Sequence, residues 1–397
     1  RHWAFHFGSS NMEGPMAPSR GVPSSFMCAT LPRCALPLAV ILAGLHAPTA
    51  IGEAVAEAQL PSQAPPLFGG CARGRLKAAR APLRRRQHAA QGLHNADKLP
   101  RPDTSLSAGA PFWVKGPSII REENGDLLGE GPAAALVMFR HSVQEDKWVS
   151  QALHNEKWYD ASWRDFCRLY RAHNNPHLAD DAFSGLSFLD VGANIGNFAV
   201  PMARCLQRLG GRVVAVEALP LHYEVLKANL RVNFVDRHVQ LFPYAVGDAA
   251  GGVLSIALDP HNLGASSAVN CENTSHVSAP VTTLDDIYAA LPSEMRRVLV
   301  MKIDIEGWEG RALYGGVQFL SESPPCYLRI ELMQKWLSLA RTPLKQLLAY
   351  LADMGYDTEG FRRVNFLDHD YIFRQVDLAT CIEARIAAAG NGAQNLA

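Results

Sequence analysis

The sequence has no excess of charge of either sign. Its 397 residues include 38 Lys and Arg and 38 Asp and Glu, so the formal net charge is zero and the pI is about 7.3. Proteins that hold nucleic acid across a broad surface are usually basic, so this balance argues against a nucleic-acid partner. The hydrophobic content of 48% is high enough for a packed core.

The sequence also lacks the cysteine spacing of a metal site. Its eight cysteines include no Cys-x-x-Cys pair and no His-linked spacing. We therefore expect neither a zinc site nor a dense disulfide framework. No internal repeat is visible.

Residues 1–110 have few periodic apolar positions and are rich in Ala, Pro, Gly and Arg, so we expect most of this region to be disordered. Within it, residues 27–58 have the pattern of a signal peptide, in which Arg33 precedes the apolar run Ala35–Leu45 and small residues follow. Eleven apolar residues are few for a membrane span. A short anchor at residues 34–45 is the alternative, and a membrane partner is expected only in that case.

Residues 71–93 carry seven Lys and Arg residues and no acidic residue. This composition is typical of an organelle transit peptide, and directly after a signal peptide it is similar to the two-part plastid presequence of some algae. A disordered basic linker is the alternative. Nucleic-acid binding is disfavoured because no aromatic residue is interleaved to stack bases. The predicted location is the secretory pathway or an organelle such as the plastid if the presequence is real, and the cytoplasm otherwise.

The most informative segment is FLDVGANIGNF at residues 188–198. An apolar strand ends in Asp190, a turn follows that contains Gly192, Asn194 and Gly196, and an apolar helix begins. Glycine lets the backbone turn tightly and approach a ligand, and the N–H groups of the next helix point into the same space. The segment therefore predicts a nucleotide-binding loop.

The spacing of the glycines in the loop favours a cofactor without phosphates over a dinucleotide. A dinucleotide site typically has G-x-G-x-x-G, but here Asn194 stands where that pattern requires glycine. Asp190 would repel a pyrophosphate and attract the ammonium and sulfonium groups of S-adenosylmethionine. A second apolar strand, Val213–Val216, ends in Glu217, whose carboxylate can accept hydrogen bonds from both ribose hydroxyls.

These segments resemble the first two motifs of class I S-adenosylmethionine-dependent methyltransferases, and more narrowly those of the FkbM family. Further motifs of that family occur in order, namely AVGD at 245–248, VTTLDD at 281–286, KIDIEGWE at 302–309 and RIEL at 329–332. The resemblance implies a doubly wound α/β fold of the Rossmann-like class, with a mostly parallel seven-stranded sheet whose last strand is antiparallel. It also implies S-adenosylmethionine as the cofactor and the hydroxyl of a small molecule, sugar or lipid as the methyl acceptor.

The pattern of apolar segments agrees with an α/β domain, because short strands alternate with helices from residue 187 onward. We assign residues 183–376 to the methyltransferase-like domain, 111–182 to a helical N-terminal extension and 377–397 to a C-terminal tail. The extension has a cluster of aromatic residues at 145–173. Their helical spacing predicts burial in a core, and a wall facing the substrate is the alternative.

Two acidic residues follow the strand Val298–Ile303, at the sheet edge where open α/β sheets bind their ligands. We predict that Asp304 and Glu306 are catalytic, because transfer to an alcohol requires a group that takes its proton. Capping of the next helix is the alternative role. No third ligand is identifiable for a metal ion, so no metal site is predicted. Glu331 ends the next strand and is expected to face the same crevice unless it forms a buried ion pair with Lys302 or Arg329.

Two other functions remain open. A catalytically silent domain of the same fold could bind the cofactor or a protein partner, since a fold does not guarantee an activity. An NAD-dependent oxidoreductase is less favoured because of the glycine spacing. Oxygen as the acceptor atom, and with it the O-methyltransferase activity, is implied by the family resemblance alone.

Overall fold

The computed structural model describes residues 115–121, 128, 135–173, 185–270, 275–360, 362–365 and 369–387. The signal-peptide-like segment 27–58 and the Arg-rich segment 71–93 lie outside these residues. Within the described part, no helix is long and apolar enough to span a bilayer.

The strands and helices are as follows. The strands are β1 (Lys115–Arg121), β2 (Ala135–Arg140), β3 (Ser187–Val191), β4 (Arg212–Val216), β5 (Val239–Phe242), β6 (Ala245–Val246), β7 (Val253–Ala257), β8 (His276–Thr282), β9 (Val298–Ile303), β10 (Tyr327–Glu331), β11 (Arg362–Asn365) and β12 (Asp370–Arg374). The α-helices are α1 (Val149–His154), α2 (Trp163–His173), α3 (Ala199–Gln207), α4 (Pro220–Val232), α5 (Leu284–Ala290), α6 (Glu309–Tyr314), α7 (Val317–Glu322), α8 (Gln334–Leu339), α9 (Leu344–Asp353) and α10 (Leu378–Ala387).

The main sheet has seven strands in the order β11-β12-β10-β9-β3-β4-β5. Neighbours from β10 to β5 pair in parallel, and β12 pairs antiparallel with β10. This arrangement confirms the predicted doubly wound, mostly parallel seven-stranded sheet. The chain proceeds outward from β3 in one direction and continues from β9 in the other, so the switch point lies between β3 and β9. Ligands of such sheets bind at that point, beyond the carboxyl ends of the strands.

The central strands are buried on both faces because consecutive side chains point to opposite sides of the sheet. Phe188, Val213 and Val300 pack into one hydrophobic core, and Leu189 and Met301 pack into the other. This explains why the strands are continuous apolar runs rather than alternating ones.

The N-terminal extension is only partly helical, so the prediction of a helical extension over 111–182 is wrong for its first half. β1 and β2 form an antiparallel pair. The other edge of β2 is bound by two side chains of α4: Asn233 accepts a hydrogen bond from the Val137 N–H at 2.9 Å, and Asn229 accepts one from the Phe139 N–H at 2.6 Å. A strand that depends on side chains 90 and 96 residues away leaves little local signal.

The segment assigned to the C-terminal tail, 377–397, begins with the helix α10. α10 buries Ile382, and a disulfide joins Cys381 to Cys326 just before β10. A second disulfide, Cys167–Cys205, joins α2 to α3. These bonds attach the extension and the last helix to the central domain.

Two further features lie in the region after β5. The strands β6, β8 and β7 form a separate three-stranded sheet that the sequence pattern did not predict. The helices α6 and α7 are separated at Gly315, where a Cβ atom would lie 2.0 Å from the Gly247 carbonyl oxygen. Asp285 accepts the Phe319 N–H at 2.7 Å in the first turn of α7.

Candidate active site

The loop after β3 depends on left-handed backbone conformations, with φ of 81° at Gly192, 51° at Asn194 and 100° at Gly196. A Cβ atom at Gly192 would lie 1.9 Å from the Asp304 carbonyl oxygen, so only glycine lets the loop approach the end of β9. A Cβ atom at Gly196 would collide with the side chains of Val200 and Leu226. Gly196 therefore allows the loop to pack on the helices beneath it.

Glu217 connects this loop to the end of β4. Its Oε2 accepts a hydrogen bond from the Asn194 N–H at 2.7 Å, and its Oε1 accepts one from the Leu219 N–H at 2.8 Å. Each carboxylate oxygen has a second lone pair, so these bonds leave acceptor capacity for a ligand. The side chain is buried at the cavity wall, which makes it a fixed rather than a mobile acceptor.

A buried ion cluster lies beneath the loop. The Lys302 Nζ atom lies 3.4 Å from Asp190 Oδ1 and 3.5 Å from Asp304 Oδ2, and it donates a hydrogen bond to the Gly192 carbonyl at 3.1 Å. Burial raises the pKa of Asp190 to about 6, an effect that the neighbouring Lys302 charge partly opposes. Burial also opposes the charge on Lys302, but Asp304 and then Asp190 hold the pKa of Lys302 above its ordinary value. Lys302 is therefore a cation, and of its two carboxylate neighbours Asp304 stabilises its charge more than Asp190 does.

The turn after β9 places both predicted catalytic acids at the cavity. The N-cap residue of α6, Trp308, makes no side-chain cap bond, and Glu309 Oε1 accepts the N–H groups of Ile305 at 3.0 Å and Gly307 at 3.1 Å in the preceding turn. Glu306 has a φ of 57°, so the chain leaves the extended conformation of β9 at this residue. The left-handed conformation nevertheless turns Glu306 to the same cavity as Asp304.

A second ion cluster forms the opposite wall. Arg329 is 2% exposed, and its Nη2 atom lies 2.6 Å from Asp160 Oδ2 and 2.6 Å from Asp370 Oδ2. The ion pair considered for Glu331 is absent from the described part of the chain, where Lys302 and Arg329 pair with other acids.

These elements enclose a cavity of about 310 Å³. This volume is at the lower end of the roughly 300–1,000 Å³ that small-molecule sites occupy. Of the predicted site residues, those that line the cavity are Asp190, Gly192, Asn194, Glu217, Asp304 and Glu306. Gly196 does not line it. Across the described residues, no group of three or more His, Cys, Asp or Glu side chains is arranged to hold a metal ion.

Residues 190–358 match the family model of the methyltransferase FkbM domain. The chain carries a methyltransferase domain of the FkbM family. A search of curated proteins finds no match to the chain.

Solved methyltransferase structures are similar to parts of the chain. Methyltransferase FkbM from Methylobacillus flagellatus KT is 19% identical, with a TM-score of 0.33, over 58% of this chain and 55% of that chain. The METTL16 MTase domain is 11% identical, with a TM-score of 0.32, over 53% of this chain and 66% of that one. Cofactor-bound Rv0187 from MTB is 14% identical, with a TM-score of 0.30, over 55% and 91%. The chain thus spans about half the length of the Methylobacillus protein.

Several cavity residues of the FkbM domain and its extension were not predicted as site residues. Trp163 and Tyr170 are buried in the core as expected, but Trp148 and Tyr159 line the cavity, with ring centroids 6.0 Å apart. Asp160 also lines it. The sequence feature that pointed to Trp148 and Tyr159 is the aromatic cluster at 145–173. Its helical spacing is the same whether the side chains face a core or a cavity.

The polar loop at 261–276 lies beside the same cavity of the FkbM domain. Asn262, Gly264 and Ser266 line the cavity, whereas neither of the two histidines at the ends of the loop does. The first half of the loop therefore borders the cavity. Residues 271–274 lie outside the described residues.

Proposed function

We propose that the domain is an S-adenosylmethionine-dependent methyltransferase that methylates a hydroxyl of a small molecule, a sugar or a lipid. The observation that carries this proposal is the acid-lined cavity at the switch point of the sheet, beside a glycine turn and Glu217. Glu217 would hold the ribose. Gly192 and Asn194 would give the ligand close access to the backbone.

The residues present fit a cationic cofactor. Asp190 is fully buried, and neither of its carboxylate oxygens has a hydrogen-bond partner within the described part of the protein. Its Lys302 contact is shared with Asp304. A buried acid with free lone pairs at a cavity wall is suited to the ammonium group at the methionyl end of S-adenosylmethionine.

The bound cofactor supplies a methyl group that is activated for in-line displacement. The chain has to align the acceptor and exclude water, and proximity of this kind is worth roughly 7–11 kcal/mol in favourable model systems. Asp304 is the group proposed to take the proton of the acceptor hydroxyl. Its side chain is about one-third exposed and lies 3.5 Å from the Lys302 Nζ atom, at the cavity where an acceptor would be held. Glu306 borders the same reaction centre.

We further propose that the protein works in the secretory pathway or in an organelle with an oxidising environment. The disulfides Cys167–Cys205 and Cys326–Cys381 support this location, because such bonds persist in oxidising compartments and are rare in the cytosol.

Isothermal titration of the full chain tests the cofactor assignment. S-adenosylmethionine and its demethylated product should bind, and NAD should not. Glu217→Ala should weaken binding by about 1–3 kcal/mol, or roughly 5- to 150-fold, because it removes an acceptor of the ribose hydroxyls and two bonds that hold the loop. Glu224→Ala, an exposed glutamate on α4, is the matched control. Folded protein that gives no heat with S-adenosylmethionine would overturn the proposal.

A further inference from the structure

Glu331 is the last residue of β10, between the two ion clusters of the cavity. In β10 the preceding residue, Ile330, lies opposite Ile303 of β9, so Glu331 and Asp304 leave the sheet side by side. On its other flank Glu331 lies opposite Asp370 of β12. Its side chain is 6% exposed and lines the cavity.

Glu331 forms no ion pair among the described residues, whereas its neighbours Asp190, Asp304 and Asp370 pair with Lys302 or Arg329. The Oε2 atom of Glu331 also has no hydrogen-bond partner there. A buried polar atom without a partner destabilises the folded protein, so this arrangement calls for an explanation beyond packing.

The surroundings of Glu331 favour its uncharged form. Burial raises the pKa of Glu331 well above its ordinary value, and the nearby acids Glu306, Asp304, Glu309 and Asp370 raise it further. The two neighbouring cations are already paired with other carboxylates. A protonated carboxyl group has both a hydrogen-bond donor and an acceptor to offer to a ligand in the cavity.

The same wall disfavours a negatively charged ligand. An anionic group placed beside Glu331 would meet Asp304, Glu306 and Asp370, and it would have to compete with these acids for Lys302 and Arg329. Juxtaposed like charges are a common means of rejecting a wrong partner.

We propose that Glu331 contacts the methyl acceptor directly and that its carboxyl group hydrogen-bonds a polar group of an uncharged acceptor while Asp304 faces the reacting hydroxyl. This inference rests on the proposed function and adds to it the residue that selects the acceptor. It also explains the missing partner of Oε2, because the acceptor provides it.

The test uses Glu331→Met in the full chain, which removes the polar group and keeps the size of the side chain. The midpoint of thermal unfolding at pH 8 should equal or exceed that of the parent, because an unpartnered buried group is lost. Binding of S-adenosylmethionine should change less than twofold, since Glu217 and the loop are untouched. The KM for the acceptor fraction that takes up labelled methyl groups from a cell extract should rise about 10-fold or more.

Two further variants distinguish a binding role from a structural one. Glu331→Gln restores a donor and an acceptor at the same place, so it should recover most of the acceptor affinity. Glu383→Met, on the exposed face of α10, should match the parent in all three measurements.

The outcomes are distinct. A lowered midpoint in Glu331→Met would mean that the carboxyl stabilises the fold, and this would overturn the proposal without any activity measurement. A parental acceptor KM in a folded Glu331→Met would overturn it as well, as would a labelled product that an anion-exchange resin retains. Failure of the parent to bind S-adenosylmethionine would instead reject the proposed function, and the unfolding midpoints would still decide the role of Glu331.

Discussion

Replacing Lys302 with methionine tests the buried ion cluster on which the site depends. The Lys302 side chain is almost fully buried between Asp190 and Asp304, and it also binds the Gly192 carbonyl. Methionine keeps the length of the side chain but leaves Asp190 buried without a cation. Removing one partner of a buried ion pair costs about 3–5 kcal/mol. At about 2–4 °C per kcal/mol for a domain of this size, the unfolding midpoint should fall by roughly 6–20 °C.

The loss of stability caused by Lys302→Met should depend on pH. The pKa of folded Asp190 is already raised to about 6 with Lys302 in place, and without Lys302 it rises further. A carboxyl group whose pKa is higher in the folded than in the unfolded state binds its proton more tightly when folded, so it destabilises the protein as the pH rises through that pKa. The unfolding midpoint of Lys302→Met should therefore lie only slightly below that of the parent at pH 5, where Asp190 is protonated. At pH 8 the difference between the two midpoints should be large.

Circular dichroism melts at pH 5 and pH 8 measure this effect. Lys345→Met, an exposed lysine on α9, is the matched control and should melt like the parent. The double variant Asp190→Asn/Lys302→Met removes the uncompensated charge, so it should be more stable at pH 8 than Lys302→Met alone. Equal midpoints for Lys302→Met and the parent at both pH values, or a double variant no better than the single one, would refute the ion cluster.

Two other predictions concern the reaction and the last helix. Asp304→Asn should fold and bind S-adenosylmethionine like the parent while lowering the turnover of labelled methyl transfer by roughly 10²-fold or more. Asn and Asp cap helices about equally well, so a cap would not explain such a loss, and parental turnover would contradict the role of Asp304 as a base. Replacing both Cys326 and Cys381 with alanine should destabilise the domain by about 2–4 kcal/mol in denaturant melts, because the bond closes a loop with a sequence separation of 55. A midpoint unchanged from that of the parent would show that α10 packs without the disulfide.

The central sheet could be predicted because its order is encoded locally. β3, β4 and β9 are continuous apolar runs that end in an acid or precede one, and each lies between helices. The small sheet β6-β8-β7 was missed for a physical reason. β6 has only two residues, and β7 has an exposed end with a half-buried middle, so neither has the pattern of a buried strand.

The candidate site was predictable to different degrees in its two halves. The half assigned to the cofactor comes from one stretch of chain, in which the strand, the turn and Glu217 follow one another. The opposite wall is assembled from Asp160, Arg329 and Asp370, and the ion pairs of Arg329 connect residues 169 and 41 positions apart. Each of these residues has a routine local interpretation. Asp160, for example, lies ahead of α2 and accepts the Ser162 N–H at 2.7 Å, as a residue at a helix start does.

A family motif can reveal the cofactor half of the site more readily than the opposite wall. Residues that bind a common cofactor can stay together in sequence, because the loop and the strand ends that hold it are consecutive. The rest of the cavity is lined by residues from β9, β10, β12 and the extension, and these meet only after folding. Arg329 forms ion pairs with Asp160 and Asp370 and none with Glu331 in the described part of the chain, and that follows from contacts rather than from a motif. In our proposal the selection of the acceptor depends on Glu331, a carboxyl group of the cavity wall without an ion pair, and Glu331→Met tests it.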